Sequence, residues 1–170
     1  MHGFEKYVFK EYSEKYPFLF RRERTKIRKI IPHAQIDHIG STSVPNLGGK
    51  GIIDIMVGVP KKELNKDKKI LEENGYHYKK SGGSDERVFF ERDYSYGKKT
   101  RRVHVHLIFQ GSGEWIKALA VRNYLRTHPE ETKKYAQIKK RGVKYAKRNS
   151  KRYKEYKTPF LDQLEKKTIR

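Results

Sequence analysis

Hydrophobic positions recur with two different spacings along the chain, and they predict helices and strands in a mixed order. Apolar residues at helical spacing favour a helix in residues 4–15 and a second helix that begins at Pro17 and ends at Pro32. Residues 34–39 and 51–59 have the composition of strands. The second of these has almost no polar alternation, which is typical of a central strand that is buried on both faces.

The rest of the chain continues this mixture. The pattern predicts a helix over 61–74, a short strand over 76–79, and a hairpin of two strands over 87–94 and 101–109. Three further helices are predicted: over 114–126 with Ser112 as the N-cap, from His128-Pro129 to about Arg148 with a weak point at Gly142, and from Tyr153 to about Lys166. The sequence therefore predicts an α/β (α+β) fold, with a mixed sheet flanked by helices and a basic helical C-terminal region.

Length and composition bound the organisation of the protein. With 170 residues, we expect one domain over 1–170, with a sheet core at 36–110 and a helical region at 112–170. No apolar run reaches the roughly 18 residues of a membrane span, and the N-terminus lacks the apolar segment of a signal peptide. Cysteine is absent, which excludes disulfides and thiolate chemistry. We expect a cytoplasmic protein without a membrane partner.

The charge of the chain is strongly positive and unevenly distributed. The formal net charge is +21, and residues 111–170 hold 18 basic and 6 acidic residues, a net +12. A field of this sign attracts polyanions such as nucleic acids. A lysine-rich, solubilising surface explains the same composition equally well. The tyrosines between the basic residues of 133–157 favour helix packing over base stacking.

Gly40-Ser41, directly after the predicted strand at 34–39, is the first candidate binding feature. Glycine allows a sharp turn and the close approach of a ligand, and the N–H groups after such a turn form a nest for anions. The serine hydroxyl adds one more donor. An ordinary turn is the alternative interpretation, and the surrounding residues decide between the two.

Asp54 supplies that context, because it lies in the middle of the apolar strand at 51–59. A buried carboxylate without a partner is costly, so we expect a cation, a metal or a hydrogen-bond network beside it. The residues that share its face of the strand are Ile52, Met56 and Gly58. A structural aspartate, satisfied by Arg, Lys or backbone N–H groups, is the competing interpretation.

Two histidines on a later strand are further candidates. His104 and His106 lie two positions apart, so their side chains point to one face and can share a ligand or a metal. Lys50 and Arg87 can bind phosphate, and Glu91 is the candidate for an additional carboxylate. For each of these residues, a solvated side chain on the surface is the alternative, and for Glu91 we favour a surface residue paired with a lysine.

These residues together resemble the GrpB family. The stretch His38-Ile39-Gly40-Ser41-Thr42-Ser43-Val44-Pro45, followed by Lys50 and Ile53-Asp54-Ile55, is similar to the family signature HIGSTAVPGL and its following K-x-IID. The similarity continues at Arg87-x-Phe89, His104-Val105-His106, Trp115, Tyr124-Leu125-Arg126-x-His128-Pro129, Tyr135, Lys139, Tyr156-Lys157 and Phe160. It covers the chain from about residue 36 onward, although Asn46 stands where glycine is common.

The resemblance implies a nucleotidyltransferase-like fold, in which a Gly-Ser turn binds nucleotide phosphates and acids on neighbouring strands hold divalent metal. It implies phosphate or nucleotide binding by Gly40, Ser41, Thr42, Lys50 and Arg87. On this basis we expect Asp54 and one of the two histidines, His104 or His106, to hold a single metal or to act as acid and base, whereas His38 joins them only in the alternative of a transition-metal site. The second acid of the pattern is replaced by Met56, whose thioether cannot hold Mg²⁺, so the carboxylate set is incomplete.

Three hypotheses for function follow from the sequence. The leading one is a divergent nucleotidyltransferase-like protein that binds a nucleotide or another phosphate-bearing small molecule, with Mg²⁺ or Mn²⁺ as the expected cofactor and no assigned reaction. The second is a transition-metal site formed by His38, Asp54, His104 and His106. The third is a non-enzymatic protein that binds nucleic acid through its basic C-terminal third. The sequence leaves both enzymatic activity and oligomeric state open.

Overall fold

A computed structural model describes residues 3–169 and contains five α-helices and five strands over that range. The helices are α1 (Tyr16–Ile30), α2 (Leu64–Glu73), α3 (Gly113–Thr127), α4 (Pro129–Ala146) and α5 (Ser150–Thr168). The strands are β1 (Gln35–Ile39), β2 (Ile53–Val59), β3 (His77–Tyr78), β4 (Arg87–Tyr96) and β5 (Lys99–Phe109). None of the helices in this range has the length and apolar character needed to cross a bilayer.

The five strands form one mixed sheet in the order β1-β2-β5-β4-β3. β2 and β5 run parallel, and the other neighbouring pairs run antiparallel. β2 therefore lies inside the sheet between β1 and β5, as its nearly continuous apolar sequence predicts. The predicted mixed sheet with flanking helices, followed by a helical C-terminal region, is confirmed.

The two faces of the sheet have different surroundings. One face, called the core face here, packs against α1 and α2 through an apolar cluster that includes Ile55, Val105 and Leu71. The opposite face, called the cleft face, carries Asp54 and Met56 of β2 and the two histidines of β5. Because successive side chains of a strand point to opposite faces, the polar residues of β2 and β5 fall on one side of the sheet.

The three C-terminal helices cover part of the cleft face. Ile39, Met56 and Ile108 of the sheet pack with Trp115 of α3. A second cluster joins the loop after β1 to α3, α4 and α5 through Val44, Leu47, Leu125, Tyr135 and Leu164. The helices are therefore held against the loop that follows β1, and a cleft remains between them and the cleft face.

The N-terminal segment differs from the prediction. Residues 4–15 are not helical; they form turns and one isolated bridge. In that bridge, the backbone of Lys10 exchanges two hydrogen bonds of 2.7 and 2.9 Å with the backbone of Gly49. A short amphipathic segment gains little from forming a helix alone, so this long-range pairing prevails over its weak helical pattern. Pro17 does stand in the first turn of α1, as predicted.

Two other elements are more regular than predicted. β4 and β5 extend through most of the predicted loop, so a turn at Gly97-Lys98 closes the hairpin, and Gly97 has a φ of 61°. α4 continues through Gly142 without a break. This glycine permits the close approach of α5, because a Cβ there would lie 3.0 Å from a ring atom of Tyr156.

Candidate functional site

The turn after β1 lies directly against Asp54. Ile39, the last residue of β1, is the register partner of Asp54 on β2. Gly40 follows with φ of 71° and ψ of −172°, a conformation that is essentially restricted to glycine. A Cβ on Gly40 would lie 2.6 Å from Oδ2 of Asp54. Glycine is therefore the residue that lets the turn approach this carboxylate.

The turn continues as a short 3-10 helix that places Ser41 on the wall of the cleft. The backbone N–H of Ser43 donates to the carbonyl of Gly40 at 3.1 Å, and its hydroxyl donates to the same oxygen at 2.6 Å. Gly49 adjoins both Ser41 and Lys139, since a Cβ there would be 2.6 Å from Oγ of the serine and 3.2 Å from Nζ of the lysine. The Gly-Ser turn and α4 thus meet at one end of the cleft.

Asp54 contacts both histidines of β5. Its Oδ1 lies 3.1 Å from Nε2 of His106 and 3.4 Å from Nδ1 of His104. The other ring nitrogen of His104, Nε2, lies 3.4 Å from Oε1 of Glu91 on β4. These contacts arise because Asp54, His104 and Glu91 are register partners on three neighbouring strands. The result is a carboxylate–imidazole–carboxylate arrangement, called the His104 row here.

Burial and pairing shift the pKa values of these groups in different directions. Burial opposes the ionisation of Asp54, but hydrogen bonds with His104 and His106 outweigh it and hold the pKa of Asp54 well below its ordinary value. Burial also disfavours the charged form of His104, yet Asp54 and Glu91 raise its pKa above 6.5. The contact with His104 is the main reason that the pKa of Glu91 falls to about 2. Burial dominates at His106 and lowers its pKa below 6.5.

Arg87 lies on the wall of the cleft but is already paired. Its guanidinium lies 3.3 Å from a carboxylate oxygen of Glu114 on α3 and donates to the carbonyl of Gly82 at 3.2 Å. Arg122 of α3 is paired in the same way with Asp37, at 3.2 Å. A phosphate at either arginine would have to compete with a resident carboxylate.

Three lysines converge at the end of the cleft that is formed by the loop after β1 and by α4 and α5. Lys50 precedes β2, Lys139 belongs to α4 and Lys157 belongs to α5, and together they are called the lysine cluster. Nζ of Lys50 and Nζ of Lys157 lie 4.9 and 5.1 Å from the ring centroid of Tyr153. Nζ of Lys139 lies 4.8 Å from the ring centroid of Tyr135. None of the ion pairs found within residues 3–169 involves these three lysines.

Burial, together with repulsion by neighbouring lysines, lowers the pKa of all three lysines. The pKa of Lys50 falls to about 8, mainly through burial and next through repulsion by Lys157. Burial is also the main reason that the pKa of Lys139 lies well below its ordinary value and that the pKa of Lys157 is lowered. An anion that approaches such ammonium groups stabilises their charged form. The cleft, of about 660 Å³, therefore has a cationic end whose three ammonium groups are attracted by Asp54 but form no ion pair within the described residues.

His38 and Thr42 do not present their side chains to the cleft, which corrects the expectation that they bind metal and phosphate. His38 precedes Ile39 on β1, so alternation places it on the core face, where its ring stacks on Phe20 with centroids 4.6 Å apart. Nε2 of His38 and Oγ1 of Thr42 form a buried hydrogen bond of 2.9 Å. Burial lowers the pKa of His38 to about 4.

Sequence reasoning gave no role to Lys139 and Lys157 and underrated Glu91. A signal for the lysines was present, because each follows a tyrosine by four positions, at Tyr135 and Tyr153. On a helix this spacing places the two side chains on one face, and the structure shows each ammonium group over its tyrosine ring. Glu91 pairs with His104 rather than with a surface lysine.

The residues that were expected to hold a metal do not form a compact donor set. Within residues 3–169, the one group of three His, Asp or Glu side chains whose donor atoms all lie within 4.8 Å of one another is His33, Glu63 and Asp67, outside the cleft. In the His104 row, the imidazole ring stands between the two carboxylates. The next residue of β2 on the cleft face of the sheet is Met56, which is buried beneath α3 and offers no oxygen.

Comparison with solved structures defines the class of fold. The chain superposes on the crystal structure of the Cid1 poly(U) polymerase with a TM-score of 0.57 and 13% identity, over 86% of this chain and 49% of that one. At this identity the likeness concerns the fold alone. The protein has a nucleotidyltransferase-like fold, as the resemblance of its motifs implied.

The family is defined more closely by sequence. The family profile described as GrpB protein matches residues 6–167, so the chain belongs to the GrpB family. The crystal structure of the conserved protein GrpB from Enterococcus faecalis superposes with a TM-score of 0.80 at 29% identity, over 95% of this chain and 96% of that one. UPF0157 protein YqkA of Bacillus subtilis is 36% identical over 132 residues, and the match spans 76% of this chain but 37% of that relative's length.

A first prediction concerns the contact between the Gly-Ser turn and Asp54. We expect Gly40→Ala to lower the free energy of unfolding by about 1–3 kcal/mol, because alanine is strained at this φ and its Cβ would meet Asp54. Urea denaturation measures the change. Gly97→Ala is the matched control, since Gly97 also has a positive φ but a Cβ there would meet nothing within 4 Å. Equal losses in the two variants would contradict the role assigned to the contact.

A second prediction concerns the titration of the histidines by NMR. We expect His104 to titrate above 6.5, His106 below 6.5 and His38 at about 4. Because its pKa is raised on folding, His104 contributes stability that is complete below its unfolded pKa of about 6.5 and is lost as pH rises through the folded pKa. Glu91→Gln should lower the pKa of His104, whereas Asp93→Asn, on the same face of β4, serves as the control. A His104 midpoint that is insensitive to Glu91→Gln would disprove the coupling.

Proposed function

We propose that the cleft binds a nucleotide or another phosphate-bearing compound, with its phosphates at the lysine cluster and the Gly40-Ser41 turn. The observation that carries the proposal is the convergence of Lys50, Lys139 and Lys157 from three separate parts of the chain, none of them in an ion pair found within residues 3–169. Bringing three ammonium groups together costs free energy, which an anion would recover. A phosphate chain, with several charged oxygens, suits three such donors.

The shape of the cleft supports a ligand larger than free phosphate. Its volume of about 660 Å³ lies within the range of roughly 300–1,000 Å³ that is usual for small-molecule sites. Beyond the lysine cluster, the wall formed by α3 and α5 is partly apolar and includes Val121, Leu125 and Leu161. This wall offers a surface for a base or another apolar moiety, while the cationic end accepts the phosphates.

The chemistry available at the sheet is that of one ionised carboxylate held by two imidazoles. Asp54 is 24% exposed at the side chain and lines the cleft with His104 and His106. Its low pKa keeps it ionised at neutral pH, so it acts as a hydrogen-bond acceptor that orients a ligand hydroxyl. The nucleotidyltransferase-like fold supports a phosphate ligand, and no specific reaction is assigned.

The lysine cluster gives a third prediction, tested by calorimetric titration with ATP, adenosine and tripolyphosphate. We expect ATP and tripolyphosphate to bind and adenosine to bind much more weakly. Lys139→Met should weaken ATP binding by roughly 10- to 150-fold, since a hydrogen bond to a charged group is worth about 1.5–3 kcal/mol. The same substitution should raise the melting temperature of the free protein, because it removes a buried charge that faces two others.

Lys151→Met is the matched control for that experiment. Lys151 lies on α5 like Lys157, but its side chain is 86% exposed and pairs with Glu155 outside the cleft. The substitution Lys151→Met removes the same charge as Lys139→Met, but it should leave both the affinity for ATP and the melting temperature nearly unchanged. If Lys139→Met and Lys151→Met weakened binding equally, long-range attraction rather than a built site would account for the affinity. Failure of every nucleotide and of tripolyphosphate to bind would refute the proposal.

An exposed aromatic side chain favours a second candidate function, the binding of nucleic acid near the turn between α4 and α5. Tyr145 is 56% exposed, and its ring lies 5.2 Å from that of Tyr156 and 6.0 Å from the guanidinium of Arg152, measured between centres. The exposed basic residues around it are Lys144, Lys147, Arg148 and Lys151. An aromatic ring among cations is the arrangement that stacks an unpaired base and contacts its phosphates.

A fourth prediction tests this surface with a fluorescent single-stranded RNA oligonucleotide. We expect its affinity, measured by anisotropy, to fall steeply as the salt concentration rises, because phosphate contacts release counterions. Tyr145→Ser should weaken binding at every salt concentration without changing the slope, because it removes stacking but no charge. Tyr78→Ser, on β3 and 40% exposed, is the control. Affinity that does not depend on salt would exclude this function.

A further inference from the structure

We propose that this cleft holds its phosphate ligand without a divalent cation. Protein side chains occupy the position that such an ion would need, and lysines supply the positive charge. The inference rests on the proposed function and concerns how that same site works. It contradicts the expectation of Mg²⁺ or Mn²⁺ that the fold implies. Its basis is the identity and the geometry of the groups on the cleft face.

A divalent cation on this sheet would need several oxygen donors in one coordination shell. Mg²⁺ binds oxygen at about 2.0–2.1 Å, so two oxygens of one shell lie at most about 4.2 Å apart. On β2, Asp54 supplies such oxygens, but Met56, the next residue on the cleft face, supplies a thioether. Met56 is buried and packs with Ile39, Ile108 and Trp115, so it belongs to the core beneath α3.

His104 occupies the space between the two carboxylates that could otherwise share an ion. Its Nδ1 lies 3.4 Å from Asp54 and its Nε2 lies 3.4 Å from Glu91, so the whole imidazole ring separates the two acids. Phe89 packs against this ring edge-on, with centroids 4.8 Å apart, and limits its movement. The imidazole ring, within 3.4 Å of both carboxylates, therefore fills the space that a shared metal ion would need.

The charges of the cleft lead to the same conclusion. Lys50, Lys139, Lys154 and Lys157 line the cleft and take part in none of the ion pairs found within residues 3–169, and the carboxylate that shares the cleft with them outside the lysine and arginine pairs is Asp54. The remaining cleft pairs largely cancel, since Arg87 faces Glu114 and Lys117 faces Glu165. The unbalanced charge of the cleft is therefore positive. It is concentrated in the lysine cluster, where the phosphates are proposed to lie.

The first test compares binding of tripolyphosphate and ATP to the intact protein in EDTA and in excess Mg²⁺, by isothermal titration calorimetry. We expect both ligands to bind in EDTA, with affinities equal to or higher than those in Mg²⁺, because the cation screens the phosphates from the lysines. A gain of tenfold or more on adding Mg²⁺ would overturn the inference and leave the proposed function intact. Absence of binding under both conditions would refute the proposed function itself and, with it, the inference.

The second test asks whether removal of the imidazole creates a cation site, and it needs no phosphate ligand. His104→Asp would place a third carboxylate between Asp54 and Glu91, which are its register partners. We expect this variant to bind one Mn²⁺, measured as loss of the free Mn²⁺ signal in electron paramagnetic resonance. His104→Asn, of similar size but without charge, is the matched control and should bind none in the cleft.

The unaltered protein provides the decisive comparison in that second test. We expect Asp54→Asn and the unaltered protein to bind the same amount of Mn²⁺. Any such binding would occur outside the cleft, for example at His33, Glu63 and Asp67. Stoichiometric binding that Asp54→Asn abolishes would overturn the inference. Should His104→Asp fail to fold, the comparison between the unaltered protein and Asp54→Asn, together with the calorimetry in EDTA, still decides the question.

Discussion

The partial burial of one ionised carboxylate near the start of a central strand is the constraint on which the cleft depends. Asp54 would be unstable there without partners, and His104 and His106 supply them from the neighbouring parallel strand. That pairing fixes which residues of β5 face the helices. The turn after β1 also passes close to the carboxylate, because Ile39 is the register partner of Asp54 and the conformation of Gly40 allows the approach. The strand register, the turn and the cleft are thus linked through the electrostatic stabilisation of this carboxylate.

Much of this arrangement could be predicted from sequence, because it depends on local periodicity. Three local patterns predict positions in strands or turns without knowledge of the fold. They are an acid inside an apolar run, the Gly-Ser turn before it, and two histidines at alternate positions. Asn46 is a similar case, since its φ of 64° explains why glycine is common at that position. The conformations involved are properties of single residues or of one strand, and they do not require distant parts of the chain.

The features that could not be predicted depend on contacts between distant segments. The face occupied by His38 depends on strand register, because a shift of one residue exchanges the two faces of β1. The pairing of Glu91 with His104 depends on where the hairpin turns, and that turn lies at Gly97 rather than over the wider loop. Lys139 and Lys157 reach the cleft through the docking of α4 and α5, which buries Leu164 against the loop after β1. The Tyr–Lys spacing indicates which side chains share a helix face, but no local pattern specifies how the helices dock.

The position of the lysine cluster also links the cleft to the mechanics of the C-terminal half. Ser41 and Asp54 belong to the sheet and its first turn, whereas Lys139 and Lys157 belong to a helical hairpin whose connection includes two left-handed residues, Lys147 and Arg148. An anion that contacts both the sheet with its first turn and the helical hairpin would stabilise their association. Ligand binding in the cleft and local opening of the helical hairpin would then be thermodynamically linked. A change that favours opening of the hairpin would also weaken ligand binding.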